Sequence, residues 1–167
     1  MHSSAEFKVK HMMITNVKGR FTDVNGTLEF DGTDVTKAKI HATIGVASLD
    51  THNADRDTHL KSADFFDVEK FPALTFTSTR ITEADAGELK VEGDLTIRDV
   101  TRPVVFEVEG PSEPGKDPWG NTRIGWSATT KINRKDFGLA WNAALETGGF
   151  LVGDQVTITL DVQAVKS

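Results

Sequence analysis

The sequence predicts an all-β protein, an antiparallel barrel of eight strands with one short helix inserted between two of them. First, apolar and polar residues alternate with a period of two along most of the chain, as in strands with one buried face. Second, Thr and Val are abundant and only five prolines occur among 167 residues. Third, a flat sheet would leave its apolar face in water, so it must close into a barrel or, as the alternative, a two-sheet sandwich.

The eight strands follow one another through short turns, and no linker or internal repeat divides the chain, so we expect a single domain over residues 1–167. Gly26 interrupts the second strand and indicates a bulge or bend there. A loop from Gly110 to Asn121 holds three of the prolines and is expected to be exposed and mobile. The predicted strands are Ser4–Ile14, Val17–Phe30, Ala38–Val46, Leu74–Thr79, Leu89–Arg98, Val104–Glu109, Trp126–Ile132 and Val156–Ala164.

One stretch, from Asp50 to Ile81, departs from the alternation. Its charged half reads as a short helix from Asn53 to Asp64, with Asn53 as the cap. An aromatic group follows, and we expect it to seal the helix against the barrel and to act as a lid at the mouth of the interior. The lid residues are Phe65, Phe66 and Phe71.

Composition excludes several classes of function. The formal net charge of −6 argues against a nucleic-acid-binding protein, which needs a basic face. No apolar run approaches the roughly 20 residues that span a bilayer, so no integral membrane segment is expected. Cysteine is absent, which rules out disulfides and thiolate chemistry. No signal-peptide pattern opens the sequence: a native start predicts a cytoplasmic protein, and a removed signal peptide a periplasmic or secreted one.

Four residues at the start of the predicted helix resemble a metal site, namely His52, Asp55, Asp57 and His59. Two imidazoles and a carboxylate can bind zinc or iron, but this spacing matches no known ligand motif. Carboxylates in a first helical turn are more simply explained by the helix dipole and by pairing with Arg56. We therefore predict no metal, no cofactor and no catalytic residue, and keep a metal-dependent enzyme as an alternative.

The interior of the barrel leaves two alternatives open. Large inward side chains such as Phe7 and Trp126 alternate with small ones such as Ala42 and Gly93. The small residues either accommodate the large ones in a solid core or leave an apolar cavity for one ligand. His11 is a lone histidine on an apolar strand face, which fits either a core residue or a ligand contact.

Four blocks of the sequence resemble the YceI-like family: HSSAEFKVKHMMITNVKGRF, SLDTHNADRDTHLKSADFFDVEKFPALTFTSTRI, GDLTIRDVTRPVVFEVEG and INRKDFGLAWNAALETGGFLVGDQVTITLDVQA. The resemblance spans nearly the whole chain. It implies an extended lipocalin-like barrel with an elongated apolar cavity that binds polyisoprenoids or other long-chain amphiphiles, including isoprenoid quinones and fatty-acid derivatives. It also implies frequent homodimers and no established enzymatic activity.

We therefore expect a binding or carrier protein for such a lipid, in transport or storage. A solid barrel that binds a protein partner is a further alternative. The residues predicted to line the cavity are Phe7, Val9, His11, Met13, Phe21, Ile44, Phe76, Leu95, Ile97, Phe106, Trp126, Ile132 and Ile158.

Overall fold

The computed structural model describes residues 3–84, 88–142 and 151–166. The turn predicted at Ala86-Gly87 lies outside these residues. Within them, one α-helix, α1, spans Ala54–Lys61, and eleven strands form a single sheet. The strands are β1 Ser4–His11, β2 Thr15–Phe21, β3 Val24–Glu29, β4 Lys39–Gly45, β5 Leu49–Asp50, β6 Ala73–Glu83, β7 Glu88–Ile97, β8 Val100–Glu109, β9 Gly115–Lys116, β10 Thr122–Asn133 and β11 Val152–Val165.

The sheet is antiparallel, and its strand order is β3-β4-β6-β7-β8-β10-β11-β1-β2-β5, with β9 beside β10. The strands β2 and β3 therefore lie near opposite edges of the sheet, although only Thr22 and Asp23 separate them in the chain. The three Cα–Cα steps from Phe21 to Val24 span no more than about 11 Å. The edges must meet at this link, so the sheet curls into a half-barrel whose seam lies between β2 and β3.

The predicted fold class is confirmed, and the strand count is corrected. The segment Val17–Phe30 was predicted as one strand bent at Gly26, but the chain leaves the sheet edge after Phe21 and enters the opposite edge at Val24. The apolar positions are odd-numbered up to Phe21 and even-numbered from Val24, so the alternation changes phase at this break; a bulge within one strand changes the phase in the same way. The two-residue strands β5 and β9 are too short to show a period.

The helix α1 is attached to the barrel through Thr51, a residue that is only 3% exposed. As predicted, Asn53 caps the helix, accepting a hydrogen bond from the backbone amide of Arg56 at 3.0 Å. The predicted pairing of Arg56 with the helix carboxylates is wrong. Arg56 donates from Nε to Thr51 Oγ1 at 2.8 Å, and Asp57 accepts from the Thr51 amide and hydroxyl. Thr51 thus satisfies both charged side chains and holds the helix over the end of the barrel.

Two glycines on inward strand positions each accommodate an aromatic ring. A Cβ atom at Gly93 would lie 2.4 Å from Cζ of Phe76, and one at Gly19 would lie 2.3 Å from Cζ of Phe7. Phe76 packs edge to face with Phe106 at 5.2 Å between ring centroids. The small residues therefore do accommodate large ones, as the packing alternative predicted, but they do so in the wall of the barrel.

We predict that Gly93→Ala destabilises the fold by about 1–3 kcal/mol, because the Phe76 ring must move away from its place in the wall. Urea unfolding would measure the difference. Gly115→Ala is the matched control, since a Cβ there meets no atom within 4 Å and should leave the stability nearly unchanged. Equal stability of the two variants would show that the close approach at Gly93 is not a packing constraint.

Candidate functional site

The interior of the half-barrel is an apolar cavity of about 1010 Å³. This volume lies at the upper end of the roughly 300–1,000 Å³ that small-molecule sites occupy. The lining follows β11 from Val152 to Val165, which corresponds to roughly 40 Å along the strand. The cavity is therefore long, and most of its wall is made of aliphatic and aromatic side chains.

Most of the residues predicted to line the cavity border it in this structure. Whether they contact a ligand stays a prediction. The residues from the predicted set that line the cavity are Phe7, Val9, His11, Phe21, Ile44, Phe76, Leu95, Ile97, Phe106, Trp126, Ile132 and Ile158, together with the lid residues Phe65 and Phe66.

Two predicted residues lie elsewhere. Met13 is 63% exposed at the tip of the β1–β2 hairpin, because β1 ends at His11 and the alternation does not continue through the turn. Phe71 is half-buried outside the cavity wall, where the guanidinium of Arg98 lies 5.6 Å from its ring centroid. Both predictions are corrected: Met13 is a turn residue, and Phe71 packs on the outside of the barrel end.

Several lining residues were missed. Some share the inward faces already recognised, and the same alternation could have found them: Val91, Val108, Val156 and Leu160. Others belong to segments without a strand period, and no signal marked them: Leu60, Arg134, Leu139 and Trp141.

One end of the cavity is closed by aromatic rings beneath α1. Trp141 packs on the His59 ring at 4.6 Å and on the Phe65 ring at 5.4 Å between centroids. Phe66 packs edge to face on Phe21 at 5.7 Å. These contacts join the aromatic group to a loop that follows β10, and its action as a lid stays a prediction.

A buried arginine holds that loop. The side chain of Arg134 is 3% exposed, and it donates hydrogen bonds to the carbonyl oxygens of Leu139, Trp141 (2.9 Å) and Gly153 (2.8 Å). Burial lowers the pKa of Arg134, and the carboxylate of Asp154 at 3.9 Å partly opposes that shift. The role of Arg134 is to order the chain around Trp141.

We predict that Arg134→Met destabilises the fold by at least about 3 kcal/mol, because each buried carbonyl left without a donor costs roughly 1–3 kcal/mol. Lys135→Met is the matched control. Lys135 is a half-exposed neighbour that pairs with Asp154 at 3.3 Å, and its loss should cost about 0–1 kcal/mol. Chemical denaturation of both variants provides the comparison, and similar losses would contradict the role assigned to Arg134.

Three of the four residues considered for a metal site have separate partners, and the fourth, Asp55, lies in the first turn of α1. His52 lies 3.8 Å from Asp50, whereas His59 bonds to Asp64 at 2.9 Å. Asp57 is bound to Thr51. Within the described ranges, no three His, Asp or Glu side chains form a group that could hold a metal ion.

At the opposite end of the barrel, beside β9 and the start of β10, Asp117 organises the loop that runs from Gly110 to Asn121. We call this end the open end. The carboxylate of Asp117 accepts from Nε of Arg123 at 2.7 Å and from the backbone amides of Trp119 and Asn121, each at 2.9 Å. These bonds, above all the one from Arg123, lower the pKa of Asp117 from 3.8 to about 2, against a smaller opposing effect of desolvation. As predicted, the loop is exposed at its tip, where Trp119 is 81% exposed.

This depressed pKa sets a pH dependence for the loop. The carboxylate stabilises the loop fully above the unfolded-state value of 3.8, and this stabilisation is lost as the pH falls through about 2. We expect the backbone amide NMR shifts of Trp119 and Asn121 to titrate with a midpoint near 2, and the step to vanish in Asp117→Asn. A midpoint near 3.8 would contradict the bonding described.

The cavity reaches the free edge of the sheet at β3. Successive strand residues point to opposite faces, yet the whole run from Val24 to Gly32 borders the cavity. The cavity therefore opens around this edge strand. The polar residues that border the cavity at this end include Glu29, Asp31 and Lys166, whereas the middle of the cavity wall is apolar.

The fold and the cavity define a lipocalin-like barrel protein with an apolar interior site. The family model described as the YceI-like domain matches residues 1–164. A UPF0312 protein of Shewanella baltica strain OS185 is 41% identical over 138 residues, covering 83% of this chain and 72% of that protein. The chain therefore belongs to the YceI-like family, which confirms the resemblance noted in the sequence.

Solved structures agree with this assignment. The YceI protein of Campylobacter jejuni is 34% identical with a TM-score of 0.79, covering 96% of this chain and 91% of that one. A polyisoprenoid-binding domain from Saccharophagus degradans superposes with a TM-score of 0.70 over 99% of this chain and 94% of that one. At 15% identity, this second likeness shows the fold alone. Among the described residues, no helix has the length and apolar character required to cross a membrane.

Proposed function

We propose that this protein binds and carries a polyisoprenoid or a similar long-chain amphiphile in its barrel, acting as one ligand-binding unit without a cofactor. The observation that carries the proposal is the long apolar cavity of about 1010 Å³. Each methylene group that leaves water contributes roughly 0.8 kcal/mol, so a long hydrocarbon chain suits this wall better than a compact polar molecule.

The polar groups indicate how such a ligand would be oriented. At the closed end, the donors of Arg134 and Arg56 are already bonded to backbone and Thr51 oxygens, which leaves them little capacity for a head group. At the open end, Glu29, Asp31 and Lys166 border the cavity close to water. We therefore propose that the hydrocarbon chain enters first and that the head group stays at the open end.

Binding is favoured over the alternatives by the same geometry. A solid barrel offers no interior for a ligand, whereas this interior is a cavity. The histidines of the metal hypothesis have separate carboxylate partners on the surface. A polyisoprenoid-binding domain shares this fold, so the fold is compatible with the proposed ligand class. The homodimer implied by the family stays a prediction.

Native mass spectrometry of gently purified protein should show a bound lipid. Ile158 lies in the middle of the wall and is only partly buried, so Ile158→Trp should fill the cavity and reduce the bound lipid at least tenfold. Thr159→Trp, which alters the next residue on the opposite face of β11, is the matched control and should retain the lipid.

Circular dichroism should show that both tryptophan variants are folded. Equal lipid content in the two variants, or wild-type protein that takes up no long-chain lipid when mixed with it, would contradict the proposed function.

A further inference from the structure

The tip of the β1–β2 hairpin exposes three consecutive apolar residues. Met12 is 46% exposed, Met13 63% and Ile14 78%. Isolated exposed apolar side chains are common, but a run of three at the end of a hairpin is a contiguous patch that water disfavours. We call residues 12–14 the docking tip.

The geometry of the turn does not explain why methionine occupies two of these positions. Met12 and Met13 both have left-handed backbones, with φ of 54° and 60°, a conformation in which hairpin turns strongly prefer asparagine and glycine. The turn is nevertheless well anchored: the amide of Ile14 donates to the His11 carbonyl at 3.3 Å, and that of Met12 donates to Leu151 at 2.7 Å. Apolar residues held in a conformation that suits them poorly indicate a role outside folding.

A row of lysines lies on the outer face beside the docking tip. Across the adjacent strands β10, β11, β1 and β2, Lys131 pairs in register with Thr157, and Thr157 pairs with Lys8. Lys8 in turn pairs with Lys18. These strands therefore place three exposed lysines in one line. Lys10 lies between this row and the tip. None of these lysines forms an ion pair among the described residues. The row is therefore an uncompensated basic strip on a protein of net charge −6.

None of the acids around the strip forms an ion pair with it among the described residues, and Glu107, which lies beside Thr129 near Lys131, pairs in register with Lys90. Asp154 lies 3.3 Å from Nζ of Lys135 and 3.9 Å from the Arg134 guanidinium, so its charge is shared by two cations. Glu6 lies one outward position further from the tip and pairs in register with Arg20. The strip and the tip together combine positive charge with exposed apolar side chains.

We propose that the docking tip binds an anionic lipid surface, with its apolar side chains at the boundary between head groups and acyl chains and the lysine row facing the phosphates. This is the pattern by which amphipathic surface elements associate with membranes. A second copy of the chain is disfavoured as the occupant, because a two-fold interface would place the same lysine row opposite itself.

The docking tip lies next to the cavity, since His11 and Leu151, which flank it, both belong to the cavity wall. A membrane-bound tip would therefore bring the closed end of that wall, next to Gly153 and Arg134, close to the bilayer, while the open end at Glu29 and Lys166 would face away from it. The inference does not depend on the ligand being an isoprenoid, because its test measures association with vesicles and not ligand content.

The test is co-sedimentation of the full chain with vesicles of phosphatidylcholine and phosphatidylglycerol in equal parts, compared with phosphatidylcholine alone. We expect association with the anionic vesicles, weakened by salt. The variant Met12→Asn, Met13→Gly, Ile14→Thr should lose at least tenfold in partition. Its melting temperature should stay equal or rise, because asparagine and glycine suit the turn, and its bound lipid should stay unchanged.

The charges are tested separately. Lys8→Gln and Lys18→Gln should each weaken partition about fivefold, whereas Lys116→Gln, an exposed lysine on β9, should not. Wild-type protein that fails to sediment with anionic vesicles, or a tip variant that sediments equally well, would overturn the proposal. A dimer in analytical ultracentrifugation that the tip variant abolishes, with no vesicle association, would assign the tip to self-association instead.

Discussion

The fold depends on the two-residue link between β2 and β3. Because Thr22 and Asp23 join strands at opposite edges of the sheet, the edges cannot separate, and the sheet has to curl around its apolar face. The same link leaves a seam, since no strand pairing among the described residues joins β2 to β3. The cavity opens at that seam, around β3. One covalent constraint therefore creates both the interior and its access.

The remaining structure keeps this interior from collapsing. Glycines at positions 19 and 93 let phenylalanine rings lie flat within the wall, so the rings do not project across it. The capped helix α1 and the loop ordered by Arg134 close one end with a group of aromatic rings. Closing one end and leaving the other accessible suits a site that takes up a long molecule lengthwise.

The alternation of apolar and polar residues predicted the fold class and most of the cavity wall, because side-chain direction in a strand follows directly from sequence position. It changes phase between Phe21 and Val24, but a bulge within one strand has the same effect, so it did not reveal the break at Thr22. The alternation also predicted wrongly that the Met13 side chain points inward, because nothing in it marks two residues with left-handed backbones in a turn. The role of Arg134 depends on carbonyl groups up to nineteen residues away, which no local pattern contains.

The most direct test of the central claim is a crystal structure of gently purified protein, read for density inside the barrel. The account predicts continuous, elongated density that runs from the aromatic end near Trp141 toward β3, surrounded by apolar side chains. A barrel whose own side chains fill the interior, with no space for a chain-like ligand, would contradict it.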